Sequence, residues 1–385
     1  MTHGPHDPIE EPALADRIRR EIRDDGPLTF ARFMERALFD PRGGYYSGGA
    51  HRLGPAGDYF TASDVGSFLG ACVAEQLWEI DAAGGPFDPF DVIEFGAGRG
   101  LLARDVLDTL AGRRPELASR VRYRTVDRSA AMRDHARRTA PAAEALDPAE
   151  LGEGHQGCVL AVELFDALPV HRLRRHGGTL VEVYVGLDDA GRLIEVEAEP
   201  TSGAAAMAER YGAAAADGTE AEVAPSAGDM LDRMVGCLDR GVLVIVDYGQ
   251  PASELYGAQR PRGTLLAHHR HRINEAYLER VGEQDLTAHV NFTALEDRAR
   301  ERGLTVLGCT TQDRFLIQNG ILEAFEAGDG AWAGADRVRG RLRAMQLLHP
   351  SGMGRAFRVL MFSKGLGPLE LAGLADPFGR NTRSP

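Results

Sequence analysis

Residues 91–102 read Asp-Val-Ile-Glu-Phe-Gly-Ala-Gly-Arg-Gly-Leu-Leu, and the fold follows from how this stretch is parsed. Val92 and Ile93 form a short apolar run that ends in an acid, Glu94. Glycines then hold the alternating positions Gly96, Gly98 and Gly100 before a helical pattern begins at Leu101. This is a strand–turn–helix at which a nucleotide-like cofactor can lie against bare backbone. A dinucleotide turn has its third glycine three positions after the second, which seats a pyrophosphate on the helix N-terminus. Here the third glycine comes two positions after the second, and Leu101 follows it. The pattern Glu-x-Gly-x-Gly-x-Gly needs no phosphate cradle and points to S-adenosylmethionine. The turn (Gly96, Ala97, Gly98, Gly100) would admit the amino-acid part of that molecule, and Glu94 at the strand end can hold its ammonium.

A glycine-rich turn also serves ordinary chain reversal, so the next strand matters. Val121, Tyr123, Thr125 and Val126 lead into Asp127, with Arg128 after it. An acid at the end of the second strand of a βαβ unit is placed to accept ribose hydroxyls. A surface aspartate with no ligand is the alternative. Turn and acid together, at one βαβ spacing, favour a bound adenosyl cofactor.

The chain has 385 residues, 43% of them hydrophobic, enough for one elaborated domain or two small ones. A net charge of −13 argues against a nucleic-acid partner, which normally requires a basic face. The arginine-dense stretches 17–23, 172–175 and 298–302 alternate with acids or apolar residues and read as solvated faces. Four cysteines, Cys72, Cys158, Cys237 and Cys309, are scattered without a CxxC pair, so no disulfide framework or structural zinc is expected, and a reducing cytoplasm is. The N-terminus carries no apolar signal region and no run reaches membrane-spanning length, so neither secretion nor membrane insertion is expected. His268, His269 and His271 have no carboxylate at metal-site spacing, and no metal is expected.

Residues 1–87 read as an N-terminal helical cap: helices over 12–23, 29–38 and 63–80, with turn-rich loops between them and no part in the sheet. Tyr45, Tyr46, Tyr59 and Phe60 could floor a pocket there, or simply pack. Strands are expected at 91–95, 121–126, near 143–146, at 157–163 and at 241–247, alternating with helices over 101–111 and 130–139. That alternation argues for a doubly wound parallel sheet. Between the fourth and fifth strands, segments 180–185 and 193–198 alternate in period two and precede helices over 204–216 and 229–238. This insertion, 170–240, interrupts a core made of 88–169 and 241–385. After the fifth strand come a Gly/His-rich loop, a helix over 293–302, a strand at 305–309, helices around 320–327 and 334–348, and a last strand at 357–362.

Methyl transfer is an in-line displacement in which the protein aligns the nucleophile and manages its proton. Glu163 and Asp166, leaving the fourth strand three residues apart, could clamp a guanidinium or ammonium, or one could take a proton. The alternatives are that Asp166 caps a turn and Glu163 is a solvated strand end. Asp247-Tyr248-Gly249 holds the corresponding place after the fifth strand, or is a plain turn.

The ordered segments 33–46 (FMERALFDPRGGYY), 57–61 (GDYFT), 94–100 (EFGAGRG), 163–169 (ELFDALP), 247–249 (DYG), 285–292 (DLTAHVNF), 311–321 (TQDRFLIQNGI) and 352–360 (GMGRAFRVL) resemble the MidA family. That family consists of S-adenosylmethionine-dependent methyltransferases and includes the mitochondrial arginine methyltransferase that assists respiratory complex I assembly. The resemblance implies an α/β, Rossmann-like, seven-stranded class I methyltransferase core with an N-terminal helical cap and an α+β insertion between strands four and five. It implies that Gly57, Asp58 and Thr61 fold over the cofactor, and that Asp285 and His289 face the active-site cleft; Glu163 is expected to touch the cofactor as well. The expected acceptor is an arginine side chain of a protein or peptide; a small metabolite or natural-product peptide, or an assembly factor that binds cofactor without turnover, are the alternatives, and a homodimer is left open. Two departures bear on the acceptor. The family's Asn before its ELFDALP motif is Val162 here, and its GTLR element reads Gly263-Thr264-Leu265-Leu266.

Overall fold

Apolar residues at helical spacing bury Leu14, Ile18 and Ile22 along α1 (Leu14–Asp25). A two-residue strand, β1 (Leu28–Thr29), leads into α2 (Phe30–Phe39). Thr29 Oγ1 caps α2 by accepting the Arg32 N–H at 3.1 Å. This computed structural model describes residues 13–47, 65–270, 272–323, 344–349 and 352–375. The expected contacts Gly57, Asp58 and Thr61, the aromatics Tyr59 and Phe60, and His271 all lie outside the described residues.

Helix α3 (Phe68–Gly84) precedes the first core strand, β2 (Phe90–Phe95), every residue of which is buried. Then come α4 (Leu101–Arg113), the short α5 (Pro115–Ala118), β3 (Val121–Val126), α6 (Ala130–Thr139), β4 (Glu144–Leu146) and β5 (His155–Val162). The next segment holds β6 (His171–His176), β7 (Thr179–Leu187), β8 (Leu193–Ala198), α7 (Ser202–Tyr211), β9 (Glu220–Val223) and α8 (Pro225–Cys237). The long strand β10 (Leu238–Gln250) returns to the core. It is followed by α9 (Ala252–Leu255), β11 (Leu266–His269), β12 (Arg272–Asn274), β13 (Asp285–Thr287), β14 (Val290–Asn291), α10 (Phe292–Glu301), β15 (Thr305–Thr311), α11 (Gln312–Gln318) and β16 (Phe357–Lys364).

The central sheet runs β15-β16-β10-β5-β2-β3-β4. Pairs from β10 through β4 are parallel, while β16 is antiparallel to both β10 and β15. The two-residue β14 pairs beside the end of β10, so the sheet has eight strands among the described residues, against seven expected. Strand pleating splits the core: Val92 and Leu160 face α3 and α4, whereas Ile93 and Val159 face α8 and α10. Strand order reverses between β2 and β5, and such a switch point opens a crevice at the carboxyl ends of the strands.

Among the described residues the cap contributes no strand to the central sheet; its β1 pairs instead with β7 (Leu28 beside Val185), so the N-terminal segment completes a five-stranded sheet with β6–β9. Two expectations need correction. The expected Gly/His-rich loop contains a three-stranded sheet, β12-β11-β13. Its strands have three or four residues each, too short for a periodic signal. Finally, the 172–175 stretch is not a solvated face. Arg172 is 3% exposed, paired with Glu195 and Glu220 and packed against the rings of Phe30 and Tyr277.

Candidate active site

Over the carboxyl ends of β2, β3 and β5 lies a cleft of about 500 Å³, within the usual range for a small-molecule site. Its two ends differ in chemistry. At one end β2 delivers Glu94, and the turn after it supplies Gly96, Ala97, Gly98 and Arg99 to the wall. Gly98 has φ +52°, and a Cβ built on it would meet nothing closer than Gly96 O at 4.0 Å. The bare face of this residue is therefore open room in which a side chain would stand. The Gly98 N–H donates to Asp127 Oδ2 at 3.0 Å, and the Ser129 N–H donates to Oδ1 at 2.8 Å. Burial raises the Asp127 carboxyl to about 6, against the lowering effect of those two bonds.

Glu94 is 4% exposed yet lines the cleft, and its Oε2 accepts the Tyr123 hydroxyl at 2.8 Å. Burial pushes its carboxyl up to about 8, with the Tyr123 bond opposing the shift. Arg128 also lines the cleft. Its guanidinium is paired with Glu35 at 2.8 Å and sits 4.6 Å over the Phe39 ring, so it joins the cap to the core. The expected contact at Gly100 is corrected: Gly100 is not in the cleft wall. With φ +74°, its Cα faces α6, and an added Cβ would lie 2.9 Å from Ala136 Cα. The third glycine serves helix packing.

The other end is acidic and drawn from several elements. After β5 the chain turns sharply at Glu163 (φ +53°), which puts Glu163, Leu164, Asp166 and Ala167 in the wall. Asp166 is buried, and its carboxyl is held well above the ordinary range by desolvation. From β13, Asp285 reaches the same end, where its Oδ1 accepts the Tyr46 hydroxyl at 2.9 Å. Tyr46 is a wall residue whose phenol is driven far upward by burial and by Asp285, so it stays a donor. Its carbonyl accepts Ser129 Oγ–H at 3.0 Å. Tyr45 packs edge-on against Tyr46 and stays out of the wall.

His289 is not brought to the cleft, contrary to expectation. The Ala288 N–H is bonded to the Asp166 carbonyl at 2.9 Å and the His289 N–H to Thr264 Oγ1 at 3.0 Å. The imidazole stacks on Tyr248 with Nδ1 3.4 Å from Gln250 Oε1, and burial lowers it to about 4.

Some wall residues carry no site signal in the sequence. Asp147, Pro148 and Ala149 follow β4, and Asp147 pairs with Arg133 at 2.9 Å. An acid after the third strand was the available clue, but a three-residue strand hardly marks itself. Met230 and Arg233 come from α8, whose approach only the tertiary fold reveals. Among the described residues, no three His, Cys, Asp or Glu side chains group so as to hold a metal ion.

A bare glycine turn flanked by the carboxylates of Glu94 and Asp127 fits the nucleoside and amino-acid parts of S-adenosylmethionine, and comparison with known proteins points to the same cofactor. Residues 71–310 match a family model described as "Putative S-adenosyl-L-methionine-dependent methyltransferase". The chain belongs to that family. A crystal structure of a COG1565 superfamily member from Burkholderia thailandensis bound to S-adenosyl-homocysteine is similar at TM-score 0.84 and 32% identity, over 96% of this chain and 95% of that one. The Drosophila melanogaster protein arginine methyltransferase NDUFAF7 homolog, mitochondrial, is 29% identical across 76% of this chain and 71% of its own length. Mouse NDUFAF7 is 26% identical across 82% and 77%. The protein is thus an S-adenosylmethionine-dependent methyltransferase with an α/β fold built on a mixed sheet. The names of these animal relatives place them in mitochondria, which gives the expected cytoplasmic location no support. No helix among the described residues is long and apolar enough to cross a membrane. Of the two departures from the MidA pattern, Val162 stands in the cleft wall of this methyltransferase and Leu266 lies on β11, outside it.

Proposed function

We propose that this methyltransferase transfers the methyl group to a side-chain nitrogen of arginine in a protein or peptide. The observation that carries the reading is the acidic end of the cleft, where Glu163, Asp166 and Asp285 converge from two separated segments. Carboxylates in such an arrangement suit a planar cation with several N–H donors, and a guanidinium can engage two of them at once. The names of the animal relatives support the same acceptor.

S-adenosylmethionine supplies a methyl group already activated on a sulfonium. The protein's residues bind and orient: Asp127 takes the ribose, Glu94 the ammonium, and Gly98 leaves the room the molecule needs. Glu163 and Asp166 orient the guanidinium, and its displaced proton passes to a carboxylate. Asp166 suits the role of proton acceptor, because burial keeps its affinity for a proton high. Tyr46 holds Asp285 in place through its hydroxyl.

The test is incubation with radiolabelled S-adenosylmethionine and a lysate of the source cell, followed by digestion and mass spectrometry. Label on arginine of a protein or peptide is the expected result. Label on a small metabolite, or on any other side chain, would refute the acceptor while leaving the methyltransferase intact.

A further inference from the structure

Asp247 is the first residue of β10 beyond its pairing with β5, is completely buried and takes no place in the cleft wall. It can touch neither cofactor nor acceptor. Its surroundings give it another task. In the parallel pair of β5 and β10, Val162 lies beside Val246, so Glu163 and Asp247 are the first residues past the ladder. The Glu163 N–H still donates to the Val246 carbonyl at 2.9 Å. From there the backbone leaves the sheet, and the next two amides find no carbonyl. Instead, Asp247 Oδ2 accepts both, Leu164 N–H at 3.0 Å and Phe165 N–H at 2.7 Å. Its Oδ1 accepts the Tyr248 N–H at 2.9 Å.

One carboxylate therefore stands in for the missing strand edge. Asp247 is itself immobile, because β10 continues to pair with β16 at Asp247–Arg358 and Tyr248–Phe357, and with β14 at Gly249–Val290. The turn it secures contains Glu163 at φ +53°, a left-handed conformation that a residue with a Cβ keeps only when its surroundings impose it. That conformation sends Phe165 into the core and leaves Glu163 and Asp166 in the cleft wall. On its far side the same turn is tied by the Ala288 N–H to the Asp166 carbonyl.

We propose that Asp247 is the positioning residue of the acceptor site: its carboxylate clamps the Leu164 and Phe165 amides and so aims Glu163 and Asp166 at the acceptor. This rests on the proposed role of those two acids in binding the acceptor. A buried amide that loses its acceptor becomes free to open and exchange, whereas the cofactor end of the cleft keeps its own bonds to Asp127.

Two variants decide the matter. Asp247→Ala removes the clamp; Asp247→Asn keeps the size and one acceptor oxygen. Hydrogen exchange followed by mass spectrometry reads the peptide 163–168 against strand 155–162 in each. In Asp247→Ala, exchange in 163–168 is expected to accelerate by at least about tenfold while the strand keeps its protection, with Asp247→Asn between it and the native protein. S-adenosylhomocysteine affinity by calorimetry should stay within about threefold, while radiolabel transfer to lysate protein at saturating cofactor falls by about a hundredfold or more, as kcat. Unchanged exchange in 163–168, or full transfer by Asp247→Ala, overturns the proposal. If Asp247→Ala does not fold, Asp247→Asn carries the test alone: local loss of protection with a partial fall in kcat supports it, and native behaviour in both overturns it. If the native protein labels no arginine, the acceptor reading fails, and the exchange pattern still judges the clamp.

Discussion

Cofactor affinity should depend on pH through Glu94. This carboxyl is 4% exposed, and burial lifts it to about 8, so near neutral pH it is mostly protonated before cofactor arrives. Holding an ammonium requires the ionised form. Below its pKa, binding must therefore expel a proton, and each pH unit costs about 1.4 kcal/mol, or about tenfold in the dissociation constant. Between pH 8, where half of the carboxyl is already ionised, and pH 6 the cost reaches about 2.3 kcal/mol, roughly fiftyfold. The sign is unambiguous: affinity rises as pH rises toward 8 and levels above it. Asp127, lifted only to about 6, adds a further loss at still lower pH. Calorimetry with S-adenosylhomocysteine across this range measures the slope, and repeating it in buffers of different ionisation enthalpy counts the released protons. Glu94→Gln should bind more weakly at pH 8 and show no slope between pH 6 and 8. Tyr123→Phe removes the bond that pulls the Glu94 carboxyl down and should move the rise to higher pH. A native affinity constant within twofold from pH 6 to 8, or a slope that survives in Glu94→Gln, would refute the assignment of Glu94 to the ammonium.

The remaining expectations follow from single contacts. Gly98→Val puts a branched side chain into the open room beside the turn, in a left-handed conformation it disfavours. Cofactor binding by calorimetry should disappear, and retained affinity would show that the turn is misplaced. Gly100→Ala forces a Cβ against Ala136 and should lower stability by about 1–3 kcal/mol in denaturant unfolding. The same variant should leave S-adenosylhomocysteine affinity within about threefold if the third glycine only packs helices. Asp127→Asn weakens an acceptor that also organises the Gly98 and Ser129 amides. A loss of about 1.5–3 kcal/mol in cofactor affinity is expected from the charged hydrogen bonds. Tyr46→Phe deletes the hydroxyl on Asp285 and should lower methyl transfer while sparing cofactor affinity; equal losses in both would assign Tyr46 to the cofactor.

The glycine-turn half of the cleft was legible because one short segment creates it. An apolar strand, an acid and alternating glycines are local features, and Asp127 lies just past the adjoining strand of the same βαβ unit. Local chemistry also announced Glu163 and Asp166 as a pair three residues apart. What it could not announce is how that turn is held. The two bonds from Asp247 span 83 and 82 residues, and that of Tyr46 to Asp285 spans 239. No periodicity records such pairings. The same cause lies behind the errors. Gly100 looked like a cofactor glycine because spacing does not reveal that α6 presses on it, and His289 left the cleft because neighbouring amides were bound to Asp166 and Thr264.

By itself, then, the chain determined its parallel strands, its glycine turn and the acids that flank them, since hydrophobic patterning and glycine spacing act over a few residues. Tertiary structure alone decided which acids share one end of the cleft, that a cap strand completes the inserted sheet, and that Arg172 is buried against two rings. Those outcomes depend on hydrogen bonds and packing between segments far apart in the chain, whose partners exist only once the sheets have closed.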